Sequence, residues 1–383
     1  MHDIAIVGGG KIGSTIAQLL HRCGDYRVTV IDRAHAQLEQ LEGCHGVTTQ
    51  ALDITDAAAL QAALTGKFAV LSAAPFHLTS RIAEAAKAAG AHYFDLTEDV
   101  ASTRMVKALA KGARTAFAPQ CGLAPGFITI VANDLAKGFD ALHDVRMRVG
   151  ALPKFPSNAL GYNLTWSTDG VINEYCEPCQ AIVDGQLRET IALEEVEHFA
   201  LDGIAYEAFN TSGGLGTLCE TLQGKVRNLN YRTIRYPGHA AIMKTLLNDL
   251  GLRHRREVLK DIFETALPAT MQDVVLVFVT VSGTKSGRLM QETYAHKIYV
   301  QDVGGVTRSA IQITTAAGIC ATLDLLALGR LPHAGFIKQE EIGLADFLDN
   351  RFGAVYADDG RGLDAVWSSA PLSPQKPRIK AIA

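Results

Sequence analysis

The sequence has no charge-free apolar stretch of about 20 residues, the length that a membrane-spanning helix requires. Its longest candidate, residues 313–328, carries Asp324 and several threonines. It reads as a buried helix, and no membrane partner is expected. A secretory leader is not expected either, because Asp3 stands directly before an apolar run with no basic segment ahead of it. Charge of one sign is scarce. The 36 lysines and arginines and 40 acidic residues leave a net charge of −4, so there is no field to hold a polyphosphate backbone, and nucleic acid is not an expected partner. The 7 cysteines are an odd number. Without a leader they are expected to be reduced, in a cytoplasmic protein. Cys176 and Cys179 form one C-x-x-C, but no second pair at zinc spacing accompanies it. No metal is expected; the pair reads as two half-buried thiols near a turn at Pro178, with a redox pair as the alternative. A G-x-S-x-G elbow, a Walker A loop and an internal repeat are also absent, which removes support for hydrolase and P-loop chemistry.

What is present is an ordinary globular balance, 48% hydrophobic and 20% charged, with an excess of glycine, 35 against 12 prolines. The first third alternates short apolar runs (residues 4–7, 28–31, 69–72, 92–95 and 115–118) with helical patterns such as Ile12, Ile16, Leu19, Leu20 and Cys23. Strands separated by helices imply βαβ units and a parallel sheet. Near residue 144 the pattern changes. Val145, Met147 and Val149 alternate with Arg146 and Arg148 as in a half-exposed strand. Residues 274–281 and 289–299 flank Gly283-Thr284-Lys285-Ser286-Gly287 as a hairpin. Between these strands, helices are expected through Ile242, Met243, Leu246, Leu247 and Leu250, and through Val258, Ile262 and Phe263. The expected organisation is an α/β protein with an N-terminal doubly wound parallel sheet over 1–124. A central α+β domain covers 125–305, a C-terminal helical segment returning to the first domain covers 306–352, and a tail covers 353–383. Within that tail residues 368–383, with Pro371, Pro374 and Pro377, read as disordered.

Gly8-Gly9-Gly10-Lys11-Ile12-Gly13 follows a strand and opens a helix. In this G-x-G-x-x-G, Gly8 permits the tight turn, Gly10 lets backbone approach a pyrophosphate, and Gly13 allows close helix–strand packing. The helix N-terminus, at Lys11 and Ile12, offers free N–H groups to the phosphates. Asp32, 19 residues after Gly13, ends the next strand and suits the ribose 2′-OH of NAD. The context is that of a Rossmann domain. Arg33 suits the extra phosphate of NADP, which Asp32 would repel, so NAD is the expected cofactor and NADP the alternative. Asp53, after the third strand, is either an adenine-side contact or a cap for the next helix. Ser72 and Ala73, closing the fourth strand, are expected beside the nicotinamide half.

The substrate must be read elsewhere. Five segments stand out: Phe94-Asp95-Leu96-Thr97-Glu98-Asp99, Cys121-Gly122-Leu123-Ala124-Pro125-Gly126, Gly161-Tyr162-Asn163-Leu164-Thr165-Trp166-Ser167, Asn210-Thr211-Ser212-Gly213-Gly214 and Thr233-Ile234-Arg235-Tyr236-Pro237-Gly238-His239. The first follows the fifth strand, at the sheet edge where ligands bind. The second suits a hinge, with Pro125 in the first turn of the following helix. Tyr162 and its neighbours mix aromatic and hydroxyl groups like a specificity wall. The fourth segment reads as an anion-binding nest through Thr211 and Ser212. Arg235 suits a carboxylate.

The Gly8–Gly13 start, Gly122-Leu123-Ala124-Pro125-Gly126, Val149-Gly150-Ala151-Leu152-Pro153, Tyr162–Ser167 with Gly170, Thr211–Gly214 and Thr233–His239, in this order, resemble the saccharopine dehydrogenase (glutamate-forming) and lysine 6-dehydrogenase family, over nearly the whole chain up to about residue 350. The resemblance implies a Rossmann domain completed by C-terminal segments and a central domain that binds a small amino-acid substrate and makes a homodimer. It implies oxidation of a C–N bond of lysine or a lysine derivative, and substrate contacts at Thr165, Trp166, Thr233 and Arg235. Lysine 6-dehydrogenases tend to carry Gly-Gly after the aspartate of the fifth strand, where this chain has Thr97-Glu98. His77, Glu98, Cys121 and His239 are the candidates for proton transfer, and sequence does not select among them. A carboxyspermidine-type polyamine dehydrogenase, with Glu98 and Glu174 as an acidic wall, and a non-catalytic cofactor-binding regulator are the alternatives.

Overall fold

The apolar runs of the first third are strands buried on both faces, which is why they do not alternate. The elements run β1 (His2–Val7), α1 (Lys11–Arg22), β2 (Tyr26–Asp32), α2 (His35–Glu39), β3 (Val47–Ala51), α3 (Ala57–Leu64), β4 (Ala69–Ser72), α4 (Thr79–Ala89), β5 (His92–Asp95), α5 (Val100–Ala110) and β6 (Ala116–Ala118). They pair in parallel in the order β6-β5-β4-β1-β2-β3. A late segment, Gly335–Phe336, adds a seventh parallel strand beside β6. The computed structural model describes residues 1–41 and 46–357. By its contacts the chain divides into one unit of Met1–Phe127 with residues from Gln312 onward, and a second unit of Ile128–Ile311.

The chain passes from the first unit into the second through α6 (Phe127–Ala136), which starts two residues after Pro125 rather than at it. Then follow β7 (Ala141–Pro153), α7 (Thr168–Cys176), β8 (Cys179–Val183), β9 (Gln186–Thr190), β10 (Glu197–Leu201), β11 (Ile204–Asn210), α8 (Leu218–Leu222), β12 (Val226–Arg235), α9 (His239–Lys244), α10 (Arg256–Ala266), β13 (Asp273–Lys285), β14 (Arg288–Tyr299), β15 (Gln301–Val303) and β16 (Val306–Arg308). The main sheet is mixed, in the order β10-β11-β12-β7-β13-β14, with the β8–β9 hairpin attached to β12. One face is covered by α7, α9 and α10 through Tyr162, Ile172, Tyr175, Phe209, Met243, Leu259 and Phe263.

Several expectations need correction. β7 alternates only at its start. From Met147 onward both faces are covered, and Arg148 is buried in an ion pair with Glu197 and over the Phe278 ring. The β13–β14 hairpin turns on two residues, Ser286 and Gly287, both at positive φ. Such a turn follows the twist of its strands and lets pairing continue to Lys285 and Arg288. The helix through Ile242 widens into a π-helical turn over Thr245–Asp249. In α10 the buried stripe is Leu259 and Phe263, while Val258 and Ile262 are exposed. The hairpins β8–β9 and β10–β11 were not anticipated; each turns on an Asp-Gly pair, Asp184-Gly185 and Asp202-Gly203, at positive φ.

Helix α11 (Ala310–Ala327) is long and apolar enough to cross a membrane, but 89% of it is buried inside the protein. Its Asp324 accepts hydrogen bonds from Tyr26 (2.6 Å), Asn350 (2.8 Å) and Arg351 (2.6 Å), which ties the end of the chain to β2. Packing continues past residue 352: Tyr356 is buried and stacks on Phe127 at 4.0 Å. The proline-rich stretch 368–383 lies outside the described residues.

Candidate active site

Each glycine of the loop after β1 meets a different neighbour. At Gly8 (φ +107) a β-carbon would lie 2.7 Å from the Ala73 carbonyl oxygen, and at Gly13 it would lie 1.8 Å from the Gly8 carbonyl oxygen. At Gly10 no protein atom lies within 4 Å of that position. The loop is thus pressed against the end of β4 and against α1, with open space on its remaining side. No side chain caps α1, and no acidic residue stands in its first turn. The N–H groups around Lys11 and Ile12 therefore stay available to an anion. A nicotinamide dinucleotide fits this cradle by the absence of any side chain at Gly10.

Asp32 stands where β2 ends. Its carboxylate accepts the Gly9 N–H at 2.7 Å and the Ala34 N–H at 2.8 Å, one on each oxygen. Each oxygen keeps a further lone pair for a hydroxyl. Arg33 is exposed beside it. Asp53 is exposed and bonded to the Thr55 N–H at 2.9 Å. It holds a turn of its own, while Asp56 caps α3 through the Ala59 N–H. Ser72 is buried, and Ala73 N–H bonds to Val7 at 2.8 Å, so both stand at the carboxyl edge of the sheet.

The proton-transfer candidates separate by environment. His77 is exposed on a single 3-10 turn, Phe76–Leu78, after β4. The Cys121 thiol is buried, donates to the Ala118 carbonyl at 2.9 Å and meets the Gln339 amide at 3.1 Å. Burial raises its pKa far above neutrality, so it is a packed thiol rather than an acid or base. Glu98 keeps some solvent contact, but burial, reinforced by Asp99 and Asp95, pushes its carboxyl up to about 7. Sequence reasoning passed over Asp95 as a candidate. It is fully buried at the end of β5. One oxygen accepts the Thr97 and Gln120 N–H groups, and the other has no hydrogen-bond partner among the described residues. Burial pushes its carboxyl up to about 6. Its position at the carboxyl end of a parallel strand was the available signal.

In the second unit a buried cation stands in a polar cluster of its own. Arg235, at the end of β12, is 2% exposed. Its Nε donates to the Tyr175 hydroxyl at 2.9 Å and its Nη1 to the Ile234 carbonyl at 2.9 Å. The guanidinium lies 5.0 Å from the centre of the Tyr162 ring, and among the described residues no carboxylate forms an ion pair with it. Among the described residues the buried hydroxyls of Tyr162 and Thr165 have no hydrogen-bond partner. Their loop is braced by Asn158, which donates to the Tyr162 carbonyl at 2.7 Å. Trp166 is half-buried against the same cluster.

Several roles expected from the sequence change. His239 is fully buried, bonded to Tyr175 at 3.0 Å and to the Leu160 carbonyl at 2.9 Å. Burial and then Arg235 push its pKa down to about 3, so it is neutral and has no ring nitrogen left for substrate. Ser212 does not form a nest: its N–H bonds to Glu174 and its hydroxyl to Pro178, each at 3.0 Å. Gly214 lies flat on Tyr231, where a β-carbon would come within 2.2 Å of the ring. Thr211 and Thr233 bond to each other at 2.7 Å and brace the floor next to Arg235. Cys176 is half-buried, Cys179 is buried, and both are free thiols. A separate cavity of about 270 Å³ under the β8–β9 hairpin is lined by Asp144, Arg146, Asn228 and Arg232. Its charges are matched internally, Arg232 to Glu195 and Glu197, and Asn228 to Asp144.

Residues 4–119 match the family profile described as saccharopine dehydrogenase NADP binding domain, and residues 122–351 match that of the saccharopine dehydrogenase C-terminal domain. The saccharopine dehydrogenase [NADP(+), L-glutamate-forming] of Saccharomyces cerevisiae is 24% identical over 272 residues, 65% of this chain and 58% of the relative. The match therefore spans little more than half the relative's length. Among solved structures, apo saccharopine dehydrogenase (L-Glu forming) from S. cerevisiae superposes with a TM-score of 0.73 at 17% identity, covering 89% of this chain and 94% of that one. The homospermidine synthase of Legionella pneumophila, solved in complex with NAD, gives 0.65 at 13% identity, covering 93% and 89%. At these identities the structures support the fold.

Proposed function

The chain belongs to the saccharopine dehydrogenase family and is therefore an oxidoreductase that binds a nicotinamide cofactor; from that premise we propose that it oxidises a C–N bond of lysine or a lysine derivative. One observation carries the substrate class. Among the described residues the buried cation Arg235 has no ion-paired carboxylate, and the nearby hydroxyls of Tyr162 and Thr165 have no hydrogen-bond partner. Burying such hydroxyls unpaired costs about 1–3 kcal/mol each. An incoming α-carboxylate offsets that cost with charge-assisted bonds.

A nicotinamide held there would supply the hydride acceptor for the carbon bearing nitrogen, and water would hydrolyse the resulting imine. The chain's own residues position and deprotonate. Gly8–Gly13 and the start of α1 would hold the diphosphate, and Asp32 would accept a ribose hydroxyl. The amine must be neutral before its carbon gives up a hydride, and a general base works best with a pKa near the working pH. Glu98 at about 7 and Asp95 at about 6 have that property.

The test is a turnover panel of lysine, saccharopine and carboxylated polyamines with NAD or NADP, followed at the absorbance of the reduced nicotinamide. Lysine or saccharopine is expected to turn over. Cofactor binding without turnover of either overturns the reading, and turnover of a carboxylated polyamine alone favours the polyamine alternative. We read the cofactor as NAD. Asp32→Ala is then expected to reduce the NAD/NADP selectivity ratio about tenfold, the scale of one charge-assisted hydrogen bond. Unchanged selectivity in paired kcat/KM measurements would remove Asp32 from the ribose.

A further inference from the structure

Behind Arg235 runs a chain of groups whose hydrogen-bond directions are set by their chemistry. The Leu160 carbonyl can only accept, so His239 Nδ1, 2.9 Å away, carries the imidazole proton. Nε2 of the neutral ring is then an acceptor and takes the Tyr175 hydroxyl proton across 3.0 Å. With its proton directed away, the Tyr175 oxygen presents lone pairs to Arg235 Nε–H at 2.9 Å. The Ile234 carbonyl holds Nη1 at 2.9 Å. The guanidinium is fixed at two points, and the Tyr162 ring flanks it. Among the described residues no further hydrogen bond engages its remaining N–H groups.

We propose that Tyr175 and His239 are positioning residues that aim Arg235 at the substrate's carboxylate, with His239 acting only through Tyr175. The inference rests on the reading that Arg235 holds that carboxylate. It explains why a histidine and a tyrosine are buried together where neither faces solvent. An arginine has a long flexible stem, and a fixed guanidinium loses less entropy on binding.

The experiment compares lysine with 1,5-diaminopentane, the same diamine without its carboxylate. Tyr175→Phe keeps the ring that packs against Phe209 and removes only the hydroxyl. It is expected to raise KM for lysine about tenfold, with kcat and the KM for the diamine unchanged within about twofold. His239→Leu is expected to do the same, and His239→Gln, which keeps an acceptor and a donor, to restore most of the loss. Thermal melting checks that each variant is folded; if His239→Leu is not, Tyr175→Phe decides. An unchanged lysine KM in Tyr175→Phe overturns the proposal. So does a fall in kcat at constant KM, which would make the pair part of proton transfer. If Arg235→Ala also leaves the lysine KM unchanged, the carboxylate reading itself has failed; if only Tyr175→Phe is silent, the positioning role alone has failed.

Discussion

Arg235→Ala is expected to raise KM for an amino-acid substrate by about 10–150-fold while leaving kcat nearly unchanged. Losing a hydrogen bond to a charged group costs about 1.5–3 kcal/mol, and each 1.4 kcal/mol is a factor of ten. Because the carboxylate does not change during oxidation at a C–N bond elsewhere in the molecule, the contact is equally strong in ground and transition states. Its loss therefore appears in KM. Two readouts separate this from a purely structural role. The guanidinium is buried and bonded to Tyr175 and Ile234, so its truncation is expected to lower Tm as well as to raise KM. A large drop in Tm with unchanged KM would mean that Arg235 is a packing residue held by Tyr175 and Ile234.

Gly13→Ala is expected to abolish measurable cofactor binding and to destabilise the first unit. The added methyl would lie 1.8 Å from the Gly8 carbonyl oxygen. Gly8 cannot retreat freely, since its own β-carbon position is 2.7 Å from the Ala73 carbonyl oxygen. Relief requires moving the loop or α1, and overpacking of this kind costs about 1–3 kcal/mol. Gly10→Ala is the informative control. Its φ of −66° suits alanine, and no protein atom is near, so the fold should be untouched. The methyl would project into the open side of the cradle, and cofactor affinity should still fall at least tenfold. Calorimetric titration with NAD and a thermal melt of each variant check both statements. Gly13→Ala binding NAD as tightly as the parent would refute the assigned role of the loop.

The first unit was legible because its signals are local. Ile4, Ala5, Ile6 and Val7 are all buried, and a run with no polar face is what a parallel strand covered on both sides requires. Gly8, Gly13 and Asp32 could be placed because the loop, the helix start and the next strand end are consecutive in sequence. The second unit was less legible. Asp184-Gly185 and Asp202-Gly203 are ordinary hairpin signals, but their flanking strands are short and partly exposed, so hydrophobic periodicity did not mark them. The alternation in β7 suggested solvent on one face, whereas Arg148 is buried there by Glu197 and Phe278, 49 and 130 residues further along. His239 illustrates the same limit. A histidine at a helix start looks reactive in sequence, and only the Leu160 carbonyl, 79 residues earlier, and Tyr175, 64 residues earlier, commit both its nitrogens.

The most direct test of the central claim is a double-mutant cycle between the protein's cation and the substrate's carboxylate: kcat/KM of parent and Arg235→Ala, each with lysine and with 1,5-diaminopentane. If Arg235 recognises the carboxylate of the amine being oxidised, the parent should prefer lysine by about 10–150-fold. Arg235→Ala should lose that preference while processing the diamine as the parent does. Retention of the full preference for lysine in Arg235→Ala would contradict the account, because the carboxylate would then be held by another group.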